Sequence, residues 1–319
     1  MRSASGNMSS NMPISNAEPH GRVAVASGLG RVVAITEVHF AFILTHISYR
    51  ALKHFTLIGH WEDAARTNFT PGVVMVAFTV GVLILCRGSF KTYGMSTKGW
   101  PYLLNLGLAC SVLLIAVEGL GLLVTRIHID ASRPPDPHAP LQLSRVLALA
   151  AIALPALIAV LALVRTQPRI LGRIPMAVSI PLMIGLLAVV PLMAAHYQRP
   201  SMWLPAMWLF FGAGFGEEIF YRGYIQSRVD QAFGLPFRLL GFEFGLGLWV
   251  SSLLFGFVHA LNTVDYFSGH FDFGWSYFAQ NFVEGLFFGC VRAKTGSVLP
   301  GAIIHGFDDV FARLPNILP

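Results

Sequence analysis

Long apolar runs separated by short polar connections constrain this chain more than any other feature. About 20 apolar residues are enough to cross a bilayer as a helix, and in hydrocarbon only helices and closed barrels satisfy their own backbone. Such runs fall at about 32–48, 70–86, 102–125, 146–164, 175–196, 203–226, 240–262, 276–292 and 297–313. Glu37, His39 and His46 interrupt the first, and the last two are short. The expected fold is all-α, a polytopic transmembrane bundle of eight or nine helices. Composition agrees, because 55% of the 319 residues are hydrophobic and only 12% are charged, against roughly 25% charged in soluble domains.

The net charge of +6 is spread over short connections. It reads as a topology signal and not as a nucleic-acid surface. The implied surroundings are a lipid bilayer, with no nucleic-acid partner. Arg87, Lys91 and Lys98, then Arg165, Arg169 and Arg173, then Arg222, Arg228 and Arg238, then Arg292 and Lys294 fall on one side if the N-terminus is cytoplasmic. That orientation suits an integral protein of a bacterial cytoplasmic membrane. In the first half of the chain Arg50, Lys53, Arg66, Arg126, Arg133 and Arg145 fall on the other side and weaken the signal. Cys86, Cys110 and Cys290 lie within apolar runs and form no CxxC pair, so neither a disulfide framework nor a thiolate metal site is implied.

Residues 1–30 are rich in Ser, Asn, Gly and Pro and read as a disordered tail. Residues 31–200 read as scaffold helices. Residues 201–315 carry the polar groups that matter. Glu217 and Glu218 stand together inside the apolar run from Met202 to Ile225, with Arg222 a turn further on. Ionisable residues at membrane depth are costly and by default mark function. On an α-helix Glu218 and Arg222 share a face and can pair, whereas Glu217 points elsewhere, towards the face of Tyr221 and Tyr224. Glu217 is thereby left without a cation from its own helix, which suits a general base or acid.

His259 has Phe255 one turn before it, and His305 shares a face with Asp309 at i and i+4. Asp309 is placed to hold one tautomer of His305. Glu217 lies eleven residues before Arg228, about 16 Å at helical rise, which sets the site nearer the cytoplasmic face. For His259 to reach the same depth, Gly234 to Gly245 must lie along the interface or re-enter, and the next helix must begin near Leu246. Glu37 and His39 read as interfacial or cavity-lining groups, Glu118 and Glu284 as helix partners or an access path, and Asn281 with Glu284 as a face able to touch substrate.

Glu217-Glu218-x-x-x-Arg222, Phe255-x-x-x-His259 and His305-x-x-x-Asp309 together resemble the CPBP (Abi) family of intramembrane proteases, which includes the type II CAAX prenyl endopeptidases. The resemblance covers about residues 200–315. It implies a catalytic membrane core at 201–315 and a peptide or membrane-associated protein as substrate. It also implies that Glu217 and His259 activate water, while His305 and Asp309 stabilise the oxyanion. Glu218, Arg222 and Phe255 would support them. Asp309 stands where that family often has Asn, so an acceptor is kept and an amide donor lost.

The favoured mechanism has no metal. The alternative is a divalent ion, zinc by its ligand preferences, held by Glu217, His259 and His305; HExxH is absent. Two other functions use the same residues differently. One is a proton-coupled transporter with the Glu/His cluster as a relay, which inverted repeats would favour and none are visible. The other is a non-catalytic membrane scaffold of the same fold. Peptide processing, bacteriocin maturation or self-immunity, and envelope-protein turnover all fit the protease reading.

Overall fold

The computed structural model describes residues 26–96, 98–125, 155, 158–166, 168–239, 241–314 and 317. Most of the expected tail, residues 1–25, and the first part of the expected span at 146–164 lie outside them. The last residues of that tail are helical instead. Ser27 caps α1 (Gly28–Phe55), its hydroxyl accepting the Gly30 N–H at 3.3 Å, which satisfies a donor that the first turn leaves orphaned.

The chain continues through α2 (Leu57–Ala65), α3 (Phe69–Leu85), α4 (Trp100–Thr125), α5 (residues 158–166) and α6 (Met176–His196). A continuous helical rod follows, here α7. It runs as α-helix Trp203–Met207, π-helix Trp208–Phe215, one α-turn Gly216–Glu218, π-helix Ile219–Gln226 and α-helix Ser227–Phe233. Then come α8 (Leu246–Ala260), α9 (Trp275–Thr295) and α10 (Leu299–Phe311). Helices dominate, as expected. Among the described residues α1, α6 and the stretch Leu246–Thr263 are long and apolar enough to cross a membrane, and Phe69–Leu85 and Trp100–Ala116 are shorter apolar helices.

One departure from all-α lies between α7 and α8. Strands β1 (Phe237–Leu239) and β2 (Phe242–Phe244) form an antiparallel hairpin in which Arg238 faces Glu243. Gly241 at the turn has φ +81, a conformation that glycine adopts without strain. The hairpin takes the chain across the bundle end and lets α8 start at Leu246, where the depth argument required it.

Successive long helices run antiparallel, so the bundle has two distinct ends. At one end the Ala26 N–H donates to Ala232 O, Arg31 lies over the Phe233 ring, and the Val298 N–H donates to Gly94 O. Arg292 also donates to Thr92 O there. At the other end Arg50 donates to Leu261 O, His46 pairs with the Tyr266 hydroxyl, and Arg199 donates to Ile317 O.

Two seams of glycine fix α7 within the bundle. A Cβ at Gly216 would stand 2.6 Å from Gly72 Cα in α3, and a Cβ at Gly72 would meet Gly212 O at 2.2 Å. A Cβ at Gly214 would lie 2.6 Å from Gly306 Cα in α10. Backbones can approach this closely only where side chains are missing, the device by which membrane helices pack without a hydrophobic driving force. Gly212 and Gly216 face one neighbour and Gly214 the other, so α7 is gripped on two sides just before its carboxylates.

Candidate active site

The π-helical turns bracket the paired glutamates. Hydrogen bonds to i+5 in place of i+4 widen the turn and shift the angular position of every side chain beyond it, and such turns occur often at functional sites. Tyr221 and Tyr224 are wholly buried in a core cluster with Phe255 and Met75. Glu217 lines the cavity with Leu209 and Ala213 and has Tyr221 within electrostatic reach, whereas Tyr224 turns to Glu37.

Glu218 and Arg222 are both fully buried, with Arg222 Nη1 2.9 Å from Glu218 Oε1. The contact is close enough for an ion pair but is not aligned as a hydrogen bond. Arg222 also donates from Nη2 to Gly285 O at 3.2 Å, and its guanidinium lies 4.2 Å above the Phe255 ring. A desolvated cation over an aromatic face gains about 2 kcal/mol. Phe255 is thus the ring on which the buried cation rests, and it also touches His259 with centroids 4.7 Å apart.

His305 is buried beside this pair. Its Nδ1 lies 3.3 Å from Glu218 Oε1 and its Nε2 3.6 Å from Asp309 Oδ2, while its ring stacks on Phe288. Glu218 therefore serves both Arg222 and His305, which the sequence did not suggest. His259 is half-buried, and its Nδ1 lies 2.8 Å from Phe255 O. A carbonyl can only accept, so Nδ1 carries the proton, and in the neutral ring Nε2 keeps the lone pair.

A cavity of about 620 Å³ opens at the bundle end that holds the close of α1 and of α8. Glu217, His259 and Asp309, from three helices, line it. One Glu217 oxygen, Oε2, is buried and has no hydrogen-bond partner among the described residues. His305 is not part of the cavity wall; it stands behind Asp309 with 4% of its surface exposed. The expected convergence of Glu217, His259 and His305 on one space becomes a convergence of Glu217, His259 and Asp309.

Sequence reasoning missed the other side of the cavity. Tyr49 and Arg50 of α1, Asp63 of α2, and Pro71 and Met75 of α3 line it. Their signal was faint, since only the charges in and after the first apolar run hinted at a polar surface there. Glu37 lies elsewhere, accepting from the Tyr224 hydroxyl at 2.7 Å and pairing with Arg228 at 2.8 Å. His39 bonds Ile35 O within its own helix. The Asn281 amide donates to Tyr277 O, and Glu284 accepts from Gln280. Neither reaches this cavity, and the Glu118 side chain lies outside the described residues.

The donors do not fit a metal tripod of Glu217, His259 and His305. His305 has its two ring nitrogens directed to Glu218 and Asp309, and among the described residues no three His, Cys, Asp or Glu side chains gather in a set able to hold an ion.

The segment that supplies Glu217, His259 and Asp309 has a recognisable likeness. Residues 198–311 match the family model "Type II CAAX prenyl endopeptidase Rce1-like". The similarity to these proteases spans α7 to α10 with the hairpin, and so includes Glu217, Glu218, Arg222, His259, His305 and Asp309. The α1–α3 wall of the cavity lies outside the Rce1-like segment. No curated protein and no solved structure matches the chain.

Proposed function

We propose that the protein is an intramembrane endopeptidase that hydrolyses a peptide bond with water activated by Glu217 and His259. The observation that carries this reading is the meeting of Glu217, His259 and Asp309 in one cavity, while the neighbouring Glu218 is neutralised by Arg222. Glu217 takes a proton from water as the water oxygen attacks the carbonyl carbon. His259 Nε2 accepts from the same water and orients it. When the C–N bond breaks, Glu217 returns the proton to the leaving nitrogen, so the carboxylate is regenerated. A positioned acid–base group of this kind contributes about 10²- to 10⁴-fold to rate.

His305 is a positioning residue in this scheme. Fixed between Glu218 and Asp309, it sets where the Asp309 carboxyl stands at the cavity wall. No step is routed through a metal. From the similar family we carry over only peptide-bond chemistry, not the prenylated end that its name mentions. The setting is a bacterial cytoplasmic membrane, and the bundle keeps bulk water from the reacting atoms.

The test is cleavage of a peptide library by the purified full chain in detergent, compared with Glu217→Gln. Cleavage by the wild type and its loss in a folded Glu217→Gln variant are expected. Equal cleavage by both would remove Glu217 from the mechanism. A proton-coupled transporter would show no cleavage and proton-dependent uptake in vesicles.

A further inference from the structure

The three polar groups that α7, α8 and α10 bring to the cavity all meet a substrate as acceptors. Glu217 and Asp309 present carboxylate oxygens. His259 directs its Nδ1 proton to Phe255 O at 2.8 Å, so Nε2 is left as a lone pair. His305 has its ring nitrogens turned to Glu218 and Asp309 and does not reach the cavity wall. When water attacks a carbonyl carbon, negative charge gathers on the carbonyl oxygen, and acceptors around it oppose that charge. Stabilising it needs a donor aimed at the place where it forms.

α1 supplies such a donor, from outside the segment 198–311. Tyr49 lines the cavity with 4% of its surface exposed and lies within electrostatic reach of Glu217. Its hydroxyl is 2.7 Å from His46 Nδ1, and His46 Nε2 is 2.9 Å from the Tyr266 hydroxyl in the α8–α9 connection. His46 is buried and stands edge-on to both tyrosine rings. Of the other donors on the wall, Arg50 gives Nη2 to Leu261 O at 2.8 Å and Lys53 is held by Glu62 and Asn68. Trp208, His54, Asn262 and Arg313 are all more exposed than Tyr49.

A neutral imidazole between two hydroxyls has one N–H and one lone pair, so it donates to one tyrosine and accepts from the other. The charge on Glu217 decides which. With the His46 proton on Nε2, Tyr49 would donate to Nδ1 and turn only oxygen lone pairs to a carboxylate. With the proton on Nδ1, the Tyr49 oxygen accepts from His46, Tyr266 donates to Nε2, and the Tyr49 proton is free to face the cavity. The second arrangement sets the positive end of the O–H dipole against Glu217 and is the favoured one.

We propose that Tyr49 is a further catalytic residue, whose hydroxyl donates to the carbonyl oxygen as negative charge gathers there, and that His46 is the positioning residue that keeps this proton turned to the cavity. The role rests on the endopeptidase reading. No proton leaves Tyr49 in it; the hydrogen bond strengthens as the water oxygen bonds to carbon and relaxes when the C–N bond breaks.

The experiment uses the full chain purified in detergent, with kcat and KM measured on one cleaved peptide. It also measures the inhibition constant of a phosphinic analogue of that peptide, whose charged oxygen stands where the carbonyl oxygen gathers charge. Tyr49→Phe keeps the ring and removes the hydroxyl. It is expected to lower kcat on the order of 10²- to 10³-fold with KM within about twofold, and to weaken the analogue by the same factor as kcat/KM. His46→Leu is expected to lower kcat less than Tyr49→Phe, and to add no further loss when combined with it, because it acts through the same hydroxyl. Wild-type kcat in Tyr49→Phe, or a lowered kcat with unchanged affinity for the analogue, would overturn the catalytic role. Additive losses would overturn the positioning role of His46. If Tyr49→Phe fails to fold because His46 is left unpaired, the double variant, which removes both ends of that bond, takes its place. Cleavage lost in Glu217→Gln but unchanged in Tyr49→Phe refutes the donor alone. No cleavage by the wild type refutes the endopeptidase reading and the donor with it.

Discussion

Glu218→Gln should damage the fold far more than the chemically identical change one residue earlier. Both members of the Glu218–Arg222 pair have no exposed surface and stand 2.9 Å apart. Removing one charge leaves the other desolvated and uncompensated, which costs about 3–5 kcal/mol in buried pairs. The remaining partners of Arg222, Gly285 O and the Phe255 ring, are neutral. They soften the loss without replacing an anion. His305 loses its charged acceptor in the same substitution. At about 1.4 kcal/mol per decade, the ratio of folded to unfolded protein falls by roughly two to three and a half decades. The assay is equilibrium unfolding of purified protein in mixed micelles, read by tryptophan fluorescence. Glu217→Gln, whose Oε2 has no protein partner among the described residues, should unfold within about 1 kcal/mol of wild type, as expected where no buried interaction is broken. The double change Glu218→Leu with Arg222→Met should recover much of the loss, because replacing both members of a buried pair by apolar groups is often neutral. A Glu218→Gln protein as stable as Glu217→Gln would refute the reasoning.

Gly216→Leu should prevent α7 from seating against α3, since even a Cβ there lies 2.6 Å from Gly72 Cα, and loss of monodisperse protein on size-exclusion chromatography checks it. Asp309→Asn should keep turnover within about tenfold, since its amide still faces His305 and can also donate to a developing oxyanion, and Asp309→Leu should lose on the order of 10²-fold, since it leaves His305 without that partner; kcat measured on one cleaved peptide separates the two. Exhaustive chelation should leave cleavage unchanged, and zinc added back should not raise it; activity lost to the chelator and restored by zinc would overturn metal-free water activation.

What was legible in the sequence was what periodicity and depth control. The start of α8 at Leu246 followed from the need to bring His259 level with Glu217, and the Glu218–Arg222 pair followed from i, i+4 spacing. Placing Tyr224 with Glu217 assumed uniform 3.6-residue turns; the π-helical turns on either side of the glutamate pair change that spacing, and Tyr224 pairs with Glu37 instead. The role of Asp309 as the cavity-facing member was hidden because it depends on Glu218 drawing His305 inward, a contact across 87 positions of sequence. The α1–α3 wall was hidden for the same reason. Contacts between distant helices leave no periodic trace, and a glycine such as Gly72 gives no sign of what it lies against.

The glycine seams also decide how a substrate can enter. Where Gly72 meets Gly212 and Gly216, and where Gly214 meets Gly306, neighbouring main chains already touch, so no extended polypeptide fits between them. Parting either seam for a lateral gate would peel two backbones from each other and shift Glu217 relative to Asp309 in the act. Lipid-side entry through α3–α7 or α7–α10 is therefore closed. Under the endopeptidase reading, a chain to be cut would reach Glu217 by the open end of the bundle and not across either seam.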